Sequence, residues 1–407
     1  MAALIHKQDT LFDITEQFPR TIDVLRTNGF TAIADRDQRE HLGKAVTLEA
    51  ACAVSGRDVH TLLQLLEEAA RQDFLEHRVW ADGEGGKPLR IMGLLPCPVR
   101  IPLTEKLEAF AAARAGAAER PLTWDLQAAY VGTQWLSEHV TAGNPDALPH
   151  VFISAGFDMF FDPKRIGGLR EAGVFKDLTG FSPLNPDFES AGMADPAGHY
   201  GLLGAVPAVF LVNGAELGGR RLPESWEDVL DPVFRDSLSL PVGDFDLFNG
   251  IMLAIHKRFG DEGLRRLRTN LLDPLHPSQM VKSASAAGPR PAITIMPYFF
   301  TRTIREGGPM VPVWPEDGAI VTPIFLLSRA DTPDVEEVVS FFASREIGQT
   351  LAHTGLFPSA HPEVDNRLPE GARFQWIGWD YLYANDIGAA IEHCQRVFDS
   401  AAQGAFS

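Results

Sequence analysis

Two carboxylates, Asp244 and Asp246, stand just ahead of a helical stripe of Phe248, Ile251, Met252 and Ile255. Oxygens at that spacing can hold a metal ion or an amine, or can cap the helix by accepting its first unpaired N–H groups. An anionic ligand beside both would be repelled unless Arg100 or Lys282 compensated, which tilts the pair toward cationic or metal-containing cargo. Asn249, in the first turn of the same helix, can donate and accept through its amide or can satisfy backbone instead. Cys97 lies between Pro96 and Pro98, where a strand gives way to a helix. A helix N-terminus favours the thiolate, a ligand for soft metals, while the alternative is a small buried hydrophobe. Cys52 and Cys394 fall on apolar helical faces and read as core.

The elements that must hold these groups follow from hydrophobic periodicity. Leu89 to Leu95 is a buried strand, followed by the loop 96–100 and, through Pro102-Leu103-Thr104, an amphipathic helix. His150 to Ser154 is a second strand that empties into Ala155, Gly156, Phe157 and Asp158. Ser237 to Pro241 alternates like a half-buried strand, and Ala292 to Pro297 forms another, followed by Tyr298, Phe299 and Phe300. Strands alternating with helices make an α/β protein with an open sheet, whose ligands bind beyond the carboxyl ends of the strands. Ser154, His150 and Asp158 do not make a hydrolase, because a strand and a turn scatter them and no GxSxG elbow is present. His276 and His353 read as packing or surface residues with metal ligation as the alternative. No Walker loop, dinucleotide fingerprint or HExxH occurs.

With 407 residues, 45% of them hydrophobic, the chain fits two or three globular domains on a prior of ~150 residues each. Its net charge of -18 excludes unspecific attraction to nucleic acid or anionic lipid. Three widely spaced cysteines write neither a disulfide framework nor a zinc knuckle, which fits a reducing compartment. No apolar run is long enough for a transmembrane span, so direct membrane insertion is not expected. The first nineteen residues hold no secretory apolar stretch either. The expectation is a cytoplasmic protein if the natural chain begins at Met1, and a periplasmic one if a start lies upstream.

Residues 8–75 read as short amphipathic helices. Thr10 and Asp13 frame the first, which is followed by Ile22 and Leu25 and a stop at Gly29; Thr47 opens a second and Asp58 a third. Gly83, Gly85, Gly86 and Pro88 mark a flexible linker.

The stretch RLPESWEDVLDPVFRDSLSLPVGDFDLFNG at 221–250 combines a Ser225/Asp228 capping box, a strand and a helix start. With AVPAVFLVN at 205–213, IVTPIFLLS at 320–328 and the closing ASREIGQTLAHTGLFPS, it resembles family 1 extracellular solute-binding proteins. That resemblance implies a two-lobed class II periplasmic-binding-protein fold, preceded by a small all-α domain. The boundaries expected are 1–77 for the helical domain, 78–88 for the linker and 89–407 for the binding domain. Within the last, lobe one covers about 89–204 and 321–407, and lobe two about 205–320. The final stretch through WIGWDYLYANDIGAAIEHCQRVF is expected to be a helix bracing lobe one. The N-terminal segment resembles a small domain of unknown function attached to redox and iron-sulfur-related proteins. Thr31-Ala32-Ile33-Ala34 replaces its usual cysteine pair, so a docking or dimerising role toward a protein partner is expected.

The resemblance also implies that loops from both lobes converge on a cleft that closes around a small ligand. The ligand-binding residues expected are Cys97, Arg100, Ser154, Ala155, Gly156, Asp244, Asp246, Asn249, Tyr298 and Phe299. Tyr298 stands where ferric-ion-binding relatives carry adjacent tyrosines, but its neighbour here is Phe299. A metal, if bound, would draw on Tyr298, Asp246 and Cys97; the alternative is an aromatic wall suited to an organic solute or a metal chelate. No cofactor is specified beyond such a bound ion or chelate. The function expected is a non-catalytic carrier or sensor. Its rivals are an exported ABC-transporter component and an enzyme of the same fold using Cys97.

Overall fold

A computed structural model describes residues 4–19, 21–27, 30–55, 59, 62–63, 66–67, 69–70, 88–114, 120–128, 148–157, 159–241, 245–272, 290–304 and 307–403. The expected linker at 78–87, Gly29, Asp58, Asp158, Asp244, His276 and Lys282 lie outside the described residues, as do the side chains of Cys97 and Asp246. The chain divides into two compact units, Met1–Gly86 and Lys87–Ser407.

In the first unit, helix α1 (Leu11–Gln17) starts at Thr10, whose hydroxyl accepts the Asp13 N–H at 3.0 Å. Helix α2 (Thr21–Thr27) follows, and α3 (Leu48–Ser55) opens at Thr47, whose Oγ1 accepts from Ala50 N. Each helix is too short to persist alone. Leu11, Ile14, Val24, Leu25, Ile33, Leu48 and Cys52 supply the buried apolar surface that holds them together.

Among the described residues, the second unit is built on one curled sheet of nine strands, with a main order β2-β1-β3-β8-β4-β6-β5. Strands β1 (Leu89–Leu95), β2 (Leu122–Ala128) and β3 (Val151–Ala155) are parallel and form one end. The short β5 (Leu238–Ser239) and β6 (Ile293–Pro297), also parallel, form the other. Between them run two antiparallel strands, β4 (Gly201–Asn213) and β8 (Ala319–Ser328). The first half of β4 and the second half of β8 belong with β3, whereas Ala208–Val212 of β4 pairs with β6. They are the crossovers between lobes, and all their residues are buried, which is why they read as continuous apolar runs without alternation. β7 (Met310–Val313) pairs antiparallel with the end of β4, and β9 (Phe374–Gln375) lies parallel to β8.

Three expectations need correction. The helix after β1, α4, spans Cys97–Arg114 with Pro102 inside it, so 96–100 is a first turn and not a loop. Pro96 O accepts from Val99 N and Arg100 N, which begins the helix early. The strand expected at 237–241 reduces to two residues, because Ser237 and Leu238 spend their backbone groups on Asn270, Ala292 and Leu272. The final stretch is not one helix. Trp376 follows β9, and α9 (Trp379–Ala384) ends before Asn385-Asp386, where α10 (Ile387–Gln403) starts.

Helix α10 touches lobe one at its start, where Lys164 pairs with Asp386. Beyond that it lies along the long helix α7 (Phe245–Asn270), with Phe398 edge-on to Phe248 at 5.6 Å. Its buried residues Ile387, Cys394 and Phe398, with Ile391 packed against the same core, recur at helical spacing. The remaining helices used here are α5 (Pro163–Glu171), α6 (Trp226–Val229) and α8 (Val335–Phe342). At α6 the capping box forms in full, with Ser225 and Asp228 exchanging backbone N–H bonds. No described helix is long and apolar enough to cross a membrane.

Candidate functional site

The carboxyl end of β3 turns into an aromatic cluster shared with Trp376 and Phe161. Ser154 is fully buried within the strand, with Oγ 3.4 Å from Ala155 O, and Ala155 pairs with Ile324. Gly156 takes φ 98°, a value costly for any residue with a Cβ, and its N–H donates to Pro323 O at 2.9 Å. This bend delivers Phe157 against the Trp376 ring (5.9 Å, 24° between planes) and the edge of Phe161 (5.6 Å).

From lobe two, the first turns of α7 press onto the same place. A Cβ added to Gly250 would lie 2.2 Å from Thr322 Cγ2 and 3.5 Å from Phe157 Cε2. Helix α7, crossover β8 and the β3 turn therefore meet within van der Waals contact. Two polar groups in this neighbourhood, Thr322 Oγ1 and Trp376 Nε1, are buried with no hydrogen-bond partner among the described residues. Native interiors seldom leave such groups unpaired, so a water or a ligand is needed to complete them. Gln375 Oε1 is likewise buried and unpaired. It is the residue before Trp376 on β9, where successive side chains face opposite ways.

A second junction lies at the end of β6. Phe299 packs at a tilt against Phe300 (4.1 Å) and Phe357 (5.2 Å), and Arg302 Nη1 donates to the His353 and Thr354 carbonyls at 3.2 and 2.9 Å. A Cβ at Gly355 would come within 2.3 Å of Val99 Cγ1 and 2.5 Å of Phe357 Cδ2. The start of α4, the turn after β6 and the closing segment are thus immediate neighbours.

The expected site residues divide accordingly. Gly156 and Phe299 sit at these junctions, and Ser154 and Ala155 form the buried strand that leads into the first. Asn249 leans toward the C-terminal helix, where its Oδ1 accepts from Gln395 at 3.4 Å. Arg100 is buried inside α4, and its carbonyl accepts from Thr104. Tyr298 turns away from Phe299. Its ring is edge-on to Trp314 at 5.2 Å beside Val209, Leu211 and Met296, and burial raises its phenol above the usual range. His353 Nε2 lies 2.8 Å from Asp365 O, a packing contact. His150 stands at the opposite end of β3 from Ser154, its Nδ1 accepting the Arg90 N–H, and burial with Arg120 and Arg329 nearby lowers it to about 4.

Thr322, Gly250 and Trp376 were not legible as site residues. Thr322 interrupts an otherwise apolar crossover run, which is the one local sign it gives; Trp376 was absorbed into an expected helix.

Comparison with known proteins adds an independent view. The family model described as bacterial extracellular solute-binding protein matches residues 146–385, and one described as a domain of unknown function (DUF1858) matches residues 5–63. No curated protein gives a significant sequence match. Among solved structures, the apo ferric ion-binding protein A of Pasteurella haemolytica aligns with TM-score 0.55 at 11% identity, covering 78% of this chain and 98% of that one. An ABC transporter structure from Clostridium perfringens aligns with TM-score 0.54 at 15% identity, covering 76% and 99%. The ferric binding protein from Campylobacter jejuni aligns with TM-score 0.53 at 11% identity, covering 77% and 99%. At these identities the likeness shows a shared two-lobed fold.

Proposed function

The chain belongs to the bacterial extracellular solute-binding protein family, and on that premise we propose that it captures an organic solute or a metal chelate between its lobes and releases it without chemical change. The observation that carries this is the pairing of an aromatic wall, Phe157 on Trp376, with the unpartnered Thr322 hydroxyl and Trp376 indole N–H. Such a lining suits a ligand with a flat or apolar body and a few polar atoms better than a bare ion. Tyr298, edge-on to Trp314 within an apolar cluster and followed by Phe299 instead of a second tyrosine, supports the same preference.

Capture by hinge closure needs the ligand to bind both lobes at once, so that its contacts favour the closed population. Thr322 on the crossover, Phe157 from lobe one and Gly250 from lobe two supply that arrangement. An ABC-type permease is the partner this role calls for, and the N-terminal helical unit is proposed to dock a protein partner. The family's name includes the word extracellular, so cell fractionation is the measurement that decides between a cytosolic and an exported carrier.

The test is native mass spectrometry of chelator-treated protein purified from its own host. A one-to-one adduct heavier than a bare ion is expected. If only bare ions are retained and no organic solute raises the melting temperature, the reading fails.

A further inference from the structure

Helix α7 does not run straight. Gly260 takes φ 64° and ψ -164°, a conformation that essentially only glycine adopts, and it breaks the helix between Phe259 and Asp261. On a continuous helix a residue five positions on from His256 would sit roughly 140° around the axis, out of reach. The break instead returns Asp261 to His256, with Oδ1 3.2 Å from His256 Nε2. From α10, His393 Nε2 approaches the same oxygen at 2.8 Å, and the two imidazole rings are 5.2 Å apart.

All three potential donor atoms lie within 4.8 Å of one another. With metal–nitrogen bonds of ~2.0–2.1 Å, neighbouring ligands of a tetrahedral ion are separated by roughly 3.3 Å, close to the two contacts to Asp261. The other carboxylate oxygen, Oδ2, is engaged by Arg265 at 3.5 Å, which leaves Oδ1 as the inward donor. His256 Nδ1 is buried without a partner among the described residues, so its polar contact in the protein is through Nε2, toward the cluster. Neighbouring Cys394 does not join the set: it is fully buried and lies outside the group of donor atoms that are mutually in reach.

We infer that His256, Asp261 and His393 form a binding site for a first-row divalent transition ion, two turns along α7 from Gly250 and separate from the junction of Phe157, Thr322 and Trp376. Two imidazoles and one carboxylate suit zinc, cobalt(II) or iron(II) and leave coordination positions open to solvent. All three side chains are partly exposed, at 29%, 36% and 42%, so an ion has an entry path. Because the ligands come from two helices, the ion would clip the C-terminal helix α10 onto α7.

The experiment titrates zinc by calorimetry, and cobalt(II) by its visible absorption, into the chelator-stripped full chain. One ion per chain is expected in the wild type. His393→Gln and His256→Gln, checked for native circular dichroism, should each weaken binding at least about 30-fold and abolish the rise in melting temperature that zinc gives. Gly260→Ala meets no side chain at its new Cβ and tests the kink itself, with weaker binding again expected. Tyr298→Phe, in the apolar cluster by Trp314, should leave affinity unchanged. Absence of zinc binding at millimolar concentration, or undiminished affinity in both histidine variants, overturns the site. Neither result depends on the identity of the cleft ligand.

Discussion

Replacing Thr322 with valine keeps the volume and the strand preference while deleting one hydroxyl. That hydroxyl is buried on β8, paired there only through its backbone with Val206, and its Oγ1 has no partner among the described residues. An unsatisfied buried donor costs about 1–3 kcal/mol, so its removal should stabilise the ligand-free protein by that amount. At ~2.1 cal/mol/K per residue, the entropy of unfolding a unit of this size is roughly 0.7 kcal/mol/K, which converts the gain into a melting temperature about 1.5–4.5 °C higher. The ligand should respond in the opposite direction. Losing its partner costs it about 1–3 kcal/mol, or roughly 5- to 150-fold in affinity. Differential scanning calorimetry on ligand-free protein and titration calorimetry with the solute recovered by native mass spectrometry measure the two halves. A variant that melts lower than wild type, or that binds equally well, would refute the claim that Thr322 waits for a ligand.

Other perturbations probe the surroundings. Gly250→Ala should cost about 1–3 kcal/mol through overpacking against Thr322, offset by up to ~1 kcal/mol of helix propensity, and Thr322→Ser should rescue it by removing the methyl in the way; denaturant melts in a double-mutant cycle read the coupling. His150 is held neutral in the folded protein, at about 4 against an ordinary 6.5, by burial first and by Arg120, Arg329 and Arg90 second. The folded state therefore binds fewer protons than the unfolded state between those values. Stability should be complete above pH ~6.5 and fall as the pH drops toward ~4, by about 1–2 kcal/mol after allowance for partial exposure. A melting curve against pH should lose this acid limb in His150→Gln, and an unchanged limb would reject the assignment.

Much of the frame was readable from the sequence because it is written in local terms. The apolar runs at 205–213 and 320–328 could only be strands covered on both faces, and Ser225 with Asp228 announced a helix start that forms as expected. Two kinds of feature escaped. Where backbone competition decides, as at Ser237 and Leu238, propensity overstates strand length; where a proline is tolerated within a turn, as at Pro102, a helix begins sooner than its stripe suggests. The candidate functional groups escaped for a different reason. Thr322 and Trp376 meet Phe157 only through tertiary pairing, and the fivefold spacing of His256 and Asp261 is uninformative until Gly260 bends the helix. Asp244 and Asp246 drew attention by type alone, with no geometry attached.

The shared strands β4 and β8 carry one more implication. Each lends rungs to both ends of the sheet, so neither end retains a complete set of backbone bonds once the other has melted. The 87–407 unit is therefore expected to lose its order in a single cooperative step, which calorimetric and van't Hoff enthalpies that agree would show. A truncation that ends between those strands should yield an insoluble chain instead of a smaller working protein.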